Sequence, residues 1–185
     1  MLSLPPSLGR PLPAALALGA AASAALLAGA HAFERIGGYA PCLLCLDQRE
    51  VHWVALTVAL ASLGLLKLKA RRLALAGLGV LCLVFAFSAG LATYHAGAEW
   101  GWWEGPAACA ASGAVDIPTA GGLLESLDKP GPSGPPCTEA AWRMLGLSMA
   151  GYNALISAAL SAAAALAGLA ALDVLRGVDA GRRRS

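Results

Sequence analysis

Four long runs without a charged residue decide what this chain can become. Pro11 to Phe33 is 23 residues, Val51 to Leu66 is 16, Leu73 to Ala98 is 26 and Met144 to Leu172 is 29. Crossing the hydrocarbon core takes about 20 apolar residues in a helix rising about 1.5 Å per residue. Three runs pass. The second reaches only about 24 Å, so it must borrow from Leu43–Leu46 at one end and let Lys67 and Lys69 snorkel at the other. Only 13% of the chain is charged, about half the fraction of a soluble domain. The expectation is an all-α membrane protein: a four-transmembrane-helix bundle forming a single domain over 1–185, with spans about 13–33, 49–66, 73–93 and 145–172. The net charge of +2 comes with no basic stripe interleaved with aromatics, which argues against a nucleic-acid partner.

Basic residues set the orientation. Arg10, Lys67, Lys69, Arg71, Arg72, Arg176, Arg182, Arg183 and Arg184 lie on one side. Arg35, Arg49, Lys129 and Arg143 lie on the other, with nine of the eleven acidic residues. The N- and C-termini and the 67–72 turn are therefore expected in the cytoplasm, and two extracytoplasmic loops, about 34–48 and 94–144, on the far side. Ala30-His31-Ala32 resembles a signal-peptidase site, but the apolar run before it exceeds the usual core of about 7–15 residues, so it reads as a retained span.

Ala-, Gly- and Ser-rich spans favour close helix approach in lipid. In the second loop, residues 119–128 read as a short amphipathic turn on the membrane surface. The Pro- and Gly-rich piece from Lys129 to Pro136 reads as a hydrated tether.

Four of the five cysteines fall in the outward loops: Cys42, Cys45, Cys109 and Cys137. Cys82, inside the third span, reads as a small apolar group. An oxidising exterior favours disulfides, and a C-x-x-C pair such as Cys42-Leu43-Leu44-Cys45 is characteristically reducible. With the second span beginning near Leu46, Cys45 and Arg49 share one helical face. The guanidinium and the helix N-terminus would both favour a Cys45 thiolate. Cys109 and Cys137 admit two readings: a static brace for the loop, or the outer half of a relay. The strip from Gly105 to Ala111 is expected to be extended and apolar, a shape a redox partner could grip.

These residues resemble the DsbB family of bacterial inner-membrane thiol:quinone oxidoreductases. The likeness is carried by Pro41-Cys42-Leu43-Leu44-Cys45 with Gln48-Arg49, by Tyr94-His95, by Gly101-Trp102-Trp103-Glu104-Gly105-Pro106-Ala107-Ala108-Cys109, by Pro136-Cys137 and by Gly146–Asn153. The resemblance implies that a DsbA-like periplasmic thiol oxidase, when reduced, attacks Cys109. Exchange with Cys42–Cys45 follows, and the Cys45 thiolate forms a charge-transfer complex with ubiquinone, or menaquinone under anaerobic conditions. It also implies that Arg49 and His95 serve the quinone site. His31 and His52 are the weaker histidine candidates. The Trp100–Trp103 cluster suits an interfacial belt or a docking surface.

Rival readings are a four-thiolate zinc site built from Cys42, Cys45, Cys109 and Cys137, and a scaffold whose disulfides only brace its loops. A transporter is disfavoured, because no charge interrupts the middle of any span.

Overall fold

The computed structural model describes residues 11–110 and 135–182. The expectations for 119–128 and for Lys129–Gly134 lie outside the described residues. Four long helices dominate: α1 (Pro11–Arg35), α2 (Leu43–Lys67), α3 (Arg71–Glu99) and α5 (Met149–Arg182), with one helical turn, α4 (Ala107–Ala110), after α3. α1, α2, α3 and the Met149–Val174 part of α5 are long and apolar enough to cross a membrane. Because many large apolar side chains point outward, among them Leu60, Leu83, Phe87, Leu166 and Leu169, lipid rather than water is the solvent these faces match.

The helices form a closed ring in the order α1, α2, α3, α5. The core is thin and small: Leu12, Leu16, Leu78, Leu81, Phe85 and Leu160 alternate with Ala20, Ala55, Ala59, Ala74, Ala164 and Ala171. Alanine at half of these positions lets backbones approach without a layer of bulky side chains between them. α3 and α5 are also joined by polar contacts. Ser161 Oγ donates to the Cys82 carbonyl at 3.0 Å, and Ser88 and Ser157 hydroxyls pair at 3.0 Å. Cys82 thus sits in helix packing.

Two of the connections are tight. Lys69, at φ 62°, turns the chain between α2 and α3. Before α5, strands β1 (Arg143–Met144) and β2 (Leu147–Ser148) pair antiparallel, Arg143 opposite Ser148. Leu145 and Gly146 take φ of 51° and 82°, the paired positive values of a type I′ hairpin. Ser148 then caps α5, its hydroxyl accepting from the Gly151 N–H at 3.1 Å.

The extended strip expected at Gly105–Ala111 is corrected in part: Ala107–Ala110 is helical, with the Cys109 N–H donating to the Pro106 carbonyl at 2.8 Å. Alanine is the strongest helix former and proline is tolerated at a helix start.

Candidate functional site

The Cys42–Cys45 pair is built into a helix start. Cys42 is the N-cap of α2, with extended backbone, and its sulfur accepts from the Cys45 N–H at 3.2 Å. The C-x-x-C spacing is therefore the spacing from a cap residue to the third helical position, where a side-chain acceptor satisfies an otherwise unpaired N–H. Cys45 occupies the first turn of α2, where the helix dipole favours negative charge. Both thiols are free, and their sulfurs lie 2.7 Å apart. The hydrogen bond with Cys45, and burial after it, hold the Cys42 thiol above the usual thiol range. Either sulfur can act as the donor in this contact.

Cys109 and Cys137 form a disulfide with Cα atoms 5.5 Å apart. Both are buried, and they pack with Cys42 and Leu44 in one apolar cluster whose margin includes Cys45 and Leu91. The two cysteine pairs that the sequence separates by more than sixty residues thus share one small volume.

His95 stands between them. Its Nε2 lies 3.6 Å from the Cys42 sulfur and 3.7 Å from Glu99 Oε1, and the ring also bonds the Cys137 backbone. One backbone carbonyl settles where its hydrogen resides. Gln48 Nε2 donates to the Leu44 carbonyl at 3.1 Å, which fixes the amide orientation, and the same NH2 reaches His95 Nδ1 at 2.8 Å. Nδ1 must therefore accept, leaving the ring's single N–H on Nε2, which has the Cys137 backbone, the Cys42 sulfur and Glu99 Oε1 as neighbours. The other end of Gln48 continues the chain. Its Oε1 accepts from Asn153 Nδ2 at 2.7 Å, and Asn153 Oδ1 accepts from His52 Nε2 at 2.9 Å and from the Ser157 hydroxyl at 3.1 Å. A polar ladder thus crosses from α2 to α5 inside an apolar bundle.

Below the pair lies a cavity of about 120 Å³, with apolar walls from Leu26, Leu27 and Phe33 and polar points from Cys45, Arg49 and His52. Apolar walls with a few convergent polar groups suit a flat, largely apolar ring bearing oxygens. Arg49 sits in this wall, and its guanidinium donates to the Glu34 carboxylate and, at 3.1 Å, to the Ala30 carbonyl. Both acceptors belong to α1. The cation that the sequence put beside Cys45 is thus also anchored across the bundle.

Gln48, Asn153 and Glu34 were not candidates by sequence. A signal existed for one of them: Asn153 is an amide set in an otherwise apolar helical run, whereas Gln48 lies within the charged stretch Asp47–Glu50. Nothing in the sequence pairs Glu34 with Arg49. Trp103 is a clamp: its indole N–H donates to the Tyr94 carbonyl at 2.8 Å, and its ring stacks on Tyr94 and covers Gly97. Trp102 is exposed. A four-thiolate metal centre does not fit, because two of its sulfurs are bonded to each other. Among the described residues, Cys42, Cys45 and His95 bring donor atoms within 4.8 Å of one another.

Against known proteins, the model of the family described as disulfide bond formation protein DsbB matches residues 13–167. No curated protein and no solved structure matches.

Proposed function

From the premise that the chain belongs to the DsbB family, we propose that it is a disulfide-generating thiol:quinone oxidoreductase of the bacterial inner membrane. It reoxidises a DsbA-like periplasmic thiol oxidase and delivers the electrons to ubiquinone or menaquinone. One observation carries this reading: a C-x-x-C pair packed on a loop disulfide at one side and on an apolar cavity holding Arg49 at the other.

The residues take the following parts. A donor thiolate attacks Cys109 and displaces Cys137 as thiolate. In a second exchange Cys137 attacks Cys42 of the oxidised pair, and Cys45 leaves as thiolate. His95 supports this step, since it bonds the Cys137 backbone while its Nε2 lies 3.6 Å from the Cys42 sulfur. The second donor thiol closes the donor's own disulfide and releases Cys109, which returns its pair to a disulfide as Cys42 is freed. Cys42 and Cys45 are left as dithiol. When bound, the quinone supplies a sink for two electrons and two protons. Cys45 faces that sink, Arg49 offers N–H groups to a carbonyl oxygen, and Leu26, Leu27 and Phe33 exclude water. The burial of both loop sulfurs against Cys42 suits the exchange between pairs; donor attack requires Cys109 to come into the open.

The test is loss of ubiquinone-1 absorbance with reduced DsbA as electron donor. Cys42→Ser and Cys45→Ser should each abolish turnover. Wild-type rates in either variant would remove the proposal.

A further inference from the structure

The polar ladder leaves one group unexplained. His52 lies in the cavity wall, 4% exposed, and its Nδ1 has no hydrogen-bond partner among the described residues. A buried polar atom without a partner is costly, and such an atom in a native core calls for an explanation.

The ladder fixes its chemistry. The Leu44 carbonyl can only accept, so Gln48 turns its NH2 that way and its oxygen toward Asn153. Asn153 must then present its NH2 to Gln48 and its oxygen to His52. His52 therefore carries its hydrogen on Nε2, and Nδ1 is a bare lone pair. It can accept a hydrogen bond and cannot give one.

Resting on the quinone reading above, we propose that His52 is a ligand-binding residue that recognises the reduced form of the cavity's occupant. A quinone offers two carbonyl oxygens, both acceptors, and gains nothing at a bare lone pair. A hydroquinone offers two O–H donors. His52 stands three residues beyond Arg49 on α2, about 4.5 Å farther along the axis, deeper in the bundle. Arg49 thus donates near the pair, where the oxidised ring presents acceptors, while His52 waits at depth for a hydroxyl. Binding the product more tightly than the substrate makes reduction inside the cavity more favourable and makes the reduced ring the slower one to leave.

The experiment measures binding of ubiquinone-1 and of ubiquinol-1 separately, by quenching of tryptophan fluorescence in detergent-purified protein, since Trp142 lines the cavity. His52→Leu should weaken ubiquinol-1 binding by about two- to tenfold, the worth of one neutral hydrogen bond, and leave ubiquinone-1 binding unchanged. His52→Gln keeps a donor for Asn153 and an acceptor for the ligand, so it should restore most of the preference for quinol. Equal shifts for both forms, or no shift for either, would overturn the inference. Turnover is read separately. A wild-type protein that binds both forms with the His52-dependent preference but never reduces ubiquinone-1 sinks the proposed activity and not the role of His52.

Discussion

At the scale of single residues, the site divides its work between two sulfurs with different surroundings. Cys42 is held above the usual thiol range by its hydrogen bond with Cys45 first and by burial second. A raised value means that less thiolate is present at any given pH. In fully reduced Cys45→Ala, where the larger cause is gone, the pH midpoint for alkylation of Cys42 should fall toward the ordinary value of about 8.5 while staying above it, because burial persists. Iodoacetamide labelling of residue 42 across pH 7–11 checks this, and an unmoved midpoint refutes it. Arg49 makes a separate prediction. Arg49→Ala should raise KM for ubiquinone-1 by roughly tenfold or more, the loss expected of a charged donor worth about 1.5–3 kcal/mol, and leave the exchange between donor dithiol and the loop disulfide at its wild-type rate. Stopped-flow exchange and steady-state reduction separate the two. The sequence made Cys42, Cys45 and Arg49 legible because they lie within eight residues on one helix start, so local geometry alone relates them. It did not reveal Glu34 as the anchor of Arg49, or His52 as the end of a ladder, because those contacts depend on which helix faces are turned together. Asn153 and Gln48 are 105 residues apart, and no periodicity within either segment encodes their meeting.

At the scale of elements, the helices are held by close approach and by few polar bonds. A Cβ at Gly77 would collide with Ser62 Oγ on α2, whereas a Cβ at Gly79 meets nothing within 4 Å. Gly77→Val should therefore cost about 1–3 kcal/mol as overpacking, and Gly79→Val on the lipid side should be nearly neutral. Unfolding in mixed detergent micelles distinguishes them; equal losses would show that α2 and α3 are not packed through this glycine. The diagonal pair α2 and α5 lacks extensive backbone proximity and relies on Asn153. Asn153→Ala strands Gln48 Oε1 and His52 Nε2 together and takes one of two partners from Ser157, and a loss of about 1–2 kcal/mol in the same assay is expected, near the upper end for a polar contact in a membrane bundle. The four spans themselves were readable from uncharged run lengths, since hydrocarbon thickness imposes them. The helical turn at Ala107–Ala110 departs from the extended strip expected there, because an uncharged apolar run does not itself distinguish the two, and Ala-Ala-Cys-Ala has high helix propensity once Pro106 opens the turn.

At the scale of the whole molecule, everything turns on which compartment each end of the bundle meets. The cysteine pairs, the capped start of α2 and the C-terminal end of α3 all lie at one end, and the Lys69 turn lies at the other. The basic residues crowd the Lys69 end, and a cytoplasmic face is where such an excess belongs. If so, the loop disulfide meets exported proteins, while the cavity beneath it is reached through lipid by an apolar electron acceptor. Two exposed positions report the orientation directly: Ile36, 87% exposed just after α1, and Leu68, 77% exposed just after α2. In a background freed of other cysteines, Ile36→Cys should react with a membrane-impermeant maleimide on intact cells. Leu68→Cys should react only after the inner membrane is opened. Neither side chain packs in the core, so the substitutions leave the bundle in place and the labelling pattern reads sidedness alone. The reverse pattern would put the thiols in a reducing compartment, where no exported dithiol reaches them and the electron path has no source.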